Sequence, residues 1–144
     1  MVVAVGLPGS GKSTYLAGIG ANAISSDAIR LQLADDETDQ SIHARVFETV
    51  RFLASQRMDL GRPVTYIDAT NLTRRDRRQF IELANEHGGV VEALFFDVPP
   101  DVCESRNAGR ARVVPVEALR AMAAKLEPPS VEEGFETVDV IRLT

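Results

Sequence analysis

The sequence predicts an α/β domain in which helices pack around a parallel sheet of about five strands. Short apolar runs typical of buried strands alternate with helix-like stretches along the 144 residues. The first run, residues 2–5, leads into a glycine-rich turn and then a helix. The length suits one domain with a single core, so we expect residues 1–144 to fold as one unit.

Each element follows from its local pattern of apolar residues and breakers. Strands are expected at residues 2–5, 23–25, 64–67, 90–96 and 138–141. Helices are expected at residues 11–19, 27–34, 39–60 and 73–86, after Pro99-Pro100, and from Pro115 to Pro128. The longest helix carries an apolar stripe formed by Ile42, Val46, Val50, Leu53 and Leu60. Glycines end the two central helices, at Gly61 and at Gly88-Gly89.

The composition fits a protein of a reducing compartment. The single cysteine, Cys103, excludes an intramolecular disulfide and any CxxC motif. No signal peptide and no apolar run of membrane-spanning length is found, so we expect a cytoplasmic protein without a membrane partner. The net charge of −5 argues against holding nucleic acid by bulk electrostatics but leaves room for a local basic groove.

A phosphate-binding loop of the pattern GxxxxGK[ST] follows the first strand, as the run GLPGSGKST. Its backbone around Gly6, Gly9, Ser10 and Gly11 is expected to turn successive N–H groups into one concavity that attracts anions. Lys12 supplies a point charge for the outer phosphates of a nucleotide, and Ser13 offers a hydroxyl to Mg²⁺. The alternative is a glycine-rich turn that only caps a helix.

Polar residues follow the second strand, at the same predicted edge of the sheet. Asp27 is a candidate base that accepts the proton of an attacking hydroxyl, or alternatively the N-cap of the next helix. Arg30 lies one helical turn later on the same face and offers a fork for an anionic group on the acceptor. Alternatively, Arg30 only forms an ion pair with Asp27.

The third strand ends in a second polar group. Asp68 is a candidate Mg²⁺ ligand, directly or through water, or else another helix cap. Thr70 and Asn71 are either turn formers or contacts to the acceptor. Four arginines then lie in the first turns of a helix, Arg74, Arg75, Arg77 and Arg78. Cations are least favoured at this N-terminal end, because the helix dipole is positive there. They indicate either a phosphate-bearing acceptor or a solvated charged face.

A basic stretch between two helices, about residues 106–114, has the form expected of a lid. It carries Arg106, Arg110 and Arg112, and it includes Gly109. Arg106 and Arg110 would offset charge on the transferring phosphoryl group, with a solvent-exposed basic loop as the alternative. We assign no function to His43, His87 or Cys103.

Together these motifs resemble the kinase domain of phage-type and bacterial polynucleotide 5′-kinases, members of the P-loop phosphotransferases. The resemblance covers nearly the whole chain. It comprises the phosphate loop, Ser26-Asp27-Ala28-Ile29-Arg30, Ala69-Thr70-Asn71-Leu72, Phe96-Asp97-Val98-Pro99, Arg106-Asn107 with Arg110, and Val114-Pro115 followed by Leu119 to Met122. It implies a P-loop NTPase fold of the adenylate-kinase-like type, a three-layer sandwich with an arginine-bearing lid.

The resemblance also implies roles for individual residues. Asp27 would be the general base for a 5′-hydroxyl, and Arg30 would bind the 3′-phosphate beside it. ATP and Mg²⁺ would be held by Lys12, Ser13 and Thr14, with Arg106 and Arg110 acting on the donor phosphates. The phage-type pattern has Asp where this sequence has Ala69, so Asp68 is displaced by one position. Members of the family often carry a phosphatase, ligase or other repair domain, and none is found in these 144 residues.

Three functions remain open at this point. The first is ATP- and Mg²⁺-dependent phosphorylation of the 5′-hydroxyl of DNA or RNA, with Arg74 and Arg78 among the acceptor contacts. The second is a kinase of a sugar, nucleoside or antibiotic hydroxyl, because one fold hosts many acceptors. The third is a nucleotide-binding regulatory module with little turnover.

Overall fold

The sheet is five-stranded and entirely parallel, in a computed structural model that describes residues 1–110 and 113–142. Its strands are β1 (Val2–Val5), β2 (Ile24–Ser25), β3 (Tyr66–Asp68), β4 (Glu92–Phe96) and β5 (Val138–Ile141). Their spatial order is β2-β3-β1-β4-β5, and Val3 of β1 pairs with Ile67 on one side and Ala93 on the other. The predicted α/β class with about five parallel strands is confirmed.

Six helices cover the sheet in the described part of the chain. They are α1 (Lys12–Gly18), α2 (Ser26–Ala34), α3 (His43–Asp59), α4 (Arg74–Glu86), α5 (Pro100–Ala108) and α6 (Val116–Lys125). A short 3₁₀ turn, Val131–Glu133, precedes β5. Within the described ranges, no helix combines the length and apolarity needed to cross a membrane.

The core lies on both faces of the sheet, which gives three layers. Val46 and Val50 of α3 and Phe80 of α4 pack in a buried cluster with β1 and β3. A second cluster joins Leu16 of α1 to Ala4 of β1 and to the β4 end. Burial of these side chains holds the strands in register, and their carboxyl ends therefore meet along one edge.

Two details of α3 differ from the sequence prediction. The helix begins at His43 rather than at residue 39, because the Asp39 carboxylate accepts hydrogen bonds from the Ser41 N–H and hydroxyl and so forms a turn. Its buried row continues from Val46 and Val50 to Ala54. Leu53 is 40% exposed and Leu60, beyond the helix end, is 75% exposed.

Candidate active site

The phosphate loop connects β1 to α1 at the carboxyl edge of the sheet. The Gly6 N–H donates to the Thr70 carbonyl at 3.0 Å, which ties the loop to the segment after β3. Gly9 has φ of +83°, and a Cβ there would lie 2.6 Å from the Cys103 carbonyl oxygen of α5. Only glycine fits at this position, since both the backbone angle and the close approach of α5 exclude a side chain.

The ammonium group of Lys12 lies inside this loop. Its Nζ donates to the carbonyl oxygens of Gly6 at 3.0 Å and Leu7 at 2.9 Å. Burial lowers the pKa of Lys12 from its ordinary value to about 8, while the nearby carboxylates of Asp68 and Asp27 act in the opposite direction. Arg110 acts in the same direction as burial. The three predicted catalytic residues, Lys12, Asp27 and Arg110, are thus electrostatically connected.

Ser13 and Asp68 meet directly. The Ser13 hydroxyl donates to Asp68 Oδ2 at 2.6 Å, across 55 positions of sequence. Asp68 therefore stands beside the phosphate loop despite its displacement from the family pattern at Ala69. It is not the cap of the next helix, because Thr73 caps α4 in a reciprocal pair of hydrogen bonds with Asp76.

A serine oxygen beside a carboxylate oxygen suits a Mg²⁺ ion that takes its remaining ligands from phosphates and water. Within residues 1–110 and 113–142, no group of three or more His, Cys, Asp or Glu side chains could bind a metal by itself. The pair would thus hold the ion together with a nucleotide.

Asp27 and Arg30 form the second half of the site. Ser25, not Asp27, is the N-cap of α2, since its hydroxyl accepts from the Ala28 N–H. The Arg30 Nη1 donates to Asp27 Oδ1 at 3.3 Å, and the Arg30 side chain is only 5% exposed against 49% for Asp27. The ion pair that the sequence left as an alternative is present, and the Asp27 carboxylate is the more exposed of its two partners.

Asn71 has the backbone conformation expected of a turn former. Its backbone has φ of +47°, and its buried amide donates to the Ala4 carbonyl at 2.8 Å. The NH₂ group of Asn71 is thus engaged with β1, and a contact from this residue to the acceptor stays a prediction. Thr70 is half-buried, and its carbonyl accepts from Gly6.

The arginines of α4 divide into two groups. Arg74, Arg75 and Arg78 are exposed, whereas Arg77 is fully buried. Arg77 Nε and Nη2 donate to the two carboxylate oxygens of Glu133 at 2.8 and 3.0 Å. Sequence reasoning missed this structural role, although the spacing of Arg77 from the buried Phe80 and Ile81 was an available signal.

The predicted lid begins as a helix. Arg106 lies in the last turn of α5, which continues to Ala108, and Arg110 is exposed just after it. The Asn107 side chain donates to the Val114 carbonyl at 2.6 Å and accepts from the Val114 N–H at 3.0 Å, so it clamps the two ends of the loop. Arg112 lies outside the described residues.

A cleft of about 330 Å³ opens beside the phosphate loop. It lies past the ends of β4 and β5, where Asp97 Oδ2 meets Arg142 Nε at 3.4 Å. Its walls also include Leu7, Val98 and Leu126. Asp97 belongs to one of the motifs that carry the family resemblance, whereas the sequence did not identify Arg142.

Comparison with known proteins agrees with this arrangement. The family described as an AAA domain, AAA_33, matches residues 1–129. Transcription factor bHLH140 of Arabidopsis thaliana is 28% identical over 149 residues. That match covers 96% of this chain but only 15% of the length of the plant protein.

Solved structures of other proteins share the fold. A chain of the Pnkp1/Rnl/Hen1 RNA repair complex superposes with a TM-score of 0.74 at 22% identity, over 87% of this chain and 43% of that one. A gluconokinase from Sinorhizobium meliloti 1021 superposes with a TM-score of 0.67 at 18% identity, over 99% of this chain and 82% of that one.

The fold and the phosphate loop define a P-loop protein with the adenylate-kinase-like, kinase-type arrangement of a parallel sheet between helices. More particularly, the chain belongs to the AAA domain family AAA_33, whose match extends over most of its length.

Proposed function

We propose that this protein is a kinase that transfers the γ-phosphate of ATP, with Mg²⁺, to the 5′-hydroxyl of DNA or RNA. The observation that carries the proposal is the Asp27–Arg30 pair at the end of β2. It lies on the same sheet edge as the phosphate loop, and Asp27 is close enough to affect the pKa of Lys12. Nucleotide binding without transfer requires neither residue.

On the donor side, the loop amides and Lys12 would hold the triphosphate. The Lys12 ammonium donates to two backbone carbonyls and would exchange them for phosphate oxygens of higher negative charge. Ser13 and Asp68 would hold Mg²⁺, which neutralises charge on the donor phosphates when bound. Arg106 and Arg110 would approach the same phosphates from α5 and the residues after it.

On the acceptor side, Asp27 would accept the proton of the 5′-hydroxyl. The hydroxyl oxygen forms a bond to the γ-phosphorus as the bond to the bridging β–γ oxygen breaks, and ADP leaves. Arg30 would pair with the adjacent 3′-phosphate. The exposed Arg74 and Arg78 would contact phosphates further along the strand, with Thr70 beside them.

A small-molecule acceptor is the second candidate. The gluconokinase likeness favours it, since that fold match spans nearly all of this chain and most of the other. The repair-complex likeness instead supports an RNA or DNA acceptor and a companion repair domain or protein, although the chain spans 43% of that relative.

The test of the chemistry is Asp27→Asn, assayed by transfer of label from γ-labelled ATP to a 5′-hydroxyl oligonucleotide. Loss of the base predicts a fall in kcat of about 10²–10⁴-fold with ATP affinity changed by less than about twofold. Asp139→Asn is the matched control, because Asp139 is an exposed residue of β5, and this variant retains full activity. Normal transfer by Asp27→Asn contradicts the assignment.

Salt distinguishes the acceptors. The KM of an oligonucleotide rises steeply as salt increases, because its phosphates release counterions on binding. A salt-independent KM, or faster turnover of gluconate or a nucleoside, favours the second candidate. ATP binding without turnover of any acceptor contradicts both.

A further inference from the structure

His43 contacts the buried arginine of the acceptor side, although its sequence context suggested no function. It is the first residue of α3, and its Nδ1 lies 3.3 Å from Arg30 Nη2. A guanidinium can only donate hydrogen bonds, so Nδ1 must be unprotonated and Nε2 carries the ring proton. The contact therefore exists only for the neutral imidazole.

The imidazole is itself held in place. Its ring packs on Phe47 with centroids 4.8 Å apart, and Phe47 packs in turn on the buried Phe80 at 6.4 Å. Both terminal nitrogens of the Arg30 guanidinium thus form hydrogen bonds, Nη1 with Asp27 and Nη2 with His43. Its Nε is also buried, with no partner in the described part of the chain, so the guanidinium keeps N–H donors that neither Asp27 nor His43 uses.

We propose that His43 is a positioning residue whose neutral ring holds Arg30 ready for the acceptor's anionic group, so that acceptor binding weakens as His43 takes up a proton. This inference rests on the proposed function. A protonated ring loses its acceptor atom and repels Arg30.

Few charged groups face the ring in the described residues. From α2 they are Arg30 and, beyond it, Asp27. From α4 the packed side chain is the apolar Phe80, by way of Phe47. The loop before α3 carries Asp35, Asp36, Glu37 and Asp39, of which Asp36 accepts from Thr38 and Asp39 accepts from Ser41. The ring itself contacts Arg30 and Phe47, so protonation removes the acceptor atom of the first contact and places two cations side by side.

The test compares His43→Ala with His43→Asn, in which the amide oxygen replaces Nδ1 as acceptor and does not titrate. In wild type the KM of a 5′-hydroxyl, 3′-phosphorylated acceptor rises as pH falls from 8 to 5.5. His43→Ala raises that KM about tenfold at pH 8, with kcat and the KM of ATP changed by less than about twofold. His43→Asn keeps a low KM at all pH values.

His87→Asn is the matched control, because the other histidine bonds the Leu83 carbonyl away from Arg30 and its loss leaves the pH profile unchanged. The inference is overturned if His43→Asn behaves like His43→Ala, or if the acceptor KM falls as pH decreases. The latter result would mean that the protonated ring binds the anion itself.

A binding measurement without ATP separates the inference from the proposed function. Calorimetry with a nucleoside 3′-monophosphate should give a dissociation constant that is about tenfold weaker for His43→Ala and pH-dependent only in wild type. If His43→Ala weakens this binding but no oligonucleotide is phosphorylated, only the proposed function is contradicted. Phosphorylation with binding that is independent of His43 overturns the inference alone, and absence of both overturns both.

Discussion

Replacing Arg77 by methionine should destabilise the fold more than any other arginine change on α4. The Arg77 side chain is fully buried and Glu133 is 3% exposed, and their two hydrogen bonds join α4 to the turn before β5. Arg77 Nη1 also donates to the carbonyls of Asn71 and Leu72 at 2.8 and 3.1 Å. Methionine fills a similar volume but leaves these acceptors without their donors.

The expected loss follows from these contacts. Breaking a buried ion pair by removing one partner costs about 3–5 kcal/mol, since the other charge stays buried. We therefore expect a loss of about 4 kcal/mol in the free energy of unfolding. For 144 residues the unfolding entropy is about 0.3 kcal/mol/K, so Tm should fall by about 13 °C.

Urea unfolding and thermal scans measure this loss, with Arg78→Met as the matched control. Arg78 is the exposed neighbour, and its replacement should change stability by less than about 0.5 kcal/mol. The double variant Arg77→Met/Glu133→Met should recover part of the loss, because no unpaired carboxylate remains. A loss below about 1 kcal/mol for Arg77→Met refutes the argument.

Three further predictions concern the nucleotide side. The pKa of Lys12 is about 8 in the folded protein and 10.5 in the unfolded chain, so the unfolded state binds more protons between these pH values. The free energy of unfolding of wild type, relative to that of Lys12→Met, should therefore rise by about 3 kcal/mol from pH 8 to 10.5 in urea unfolding. A constant difference contradicts the burial of the ammonium. Ser13→Ala and Asp68→Asn should each raise the Mg²⁺ concentration needed for half-maximal transfer about tenfold or more, as seen in a Mg²⁺ titration, and an unchanged requirement removes the pair from the metal site. Asn107→Ala removes both hydrogen bonds to Val114 and should lower kcat/KM for ATP about tenfold in steady-state assays, whereas equal activity would mean that these hydrogen bonds do not help to position Arg106 and Arg110.

Much of the fold could be predicted because its signals are local. Apolar runs place the strands, and the spacing of the phosphate loop fixes the start of α1. The meeting of Ser13 and Asp68 was also predictable in outline, since parallel strands deliver their carboxyl ends to one edge.

The missed features depend on contacts between distant residues. The pairing of Arg77 with Glu133 and the clamp from Asn107 to Val114 each require knowing how segments pack. His43 is similar, because its contact with Arg30 depends on the exact start of α3, which the turn at Asp39 shifts from the predicted position. Such side chains show no periodic signal of their own.

The central claim is that the Asp27–Arg30 side of the site receives a polynucleotide 5′-hydroxyl. The most direct measurement incubates the protein with γ-labelled ATP, Mg²⁺ and one acceptor at a time. The acceptors are a 5′-hydroxyl oligonucleotide, the same oligonucleotide already carrying a 5′-phosphate, and a panel of gluconate, other sugars and nucleosides. We predict label on the 5′-hydroxyl oligonucleotide alone, lost in Asp27→Asn. Label on a sugar or nucleoside, with none on the oligonucleotide, would contradict the account.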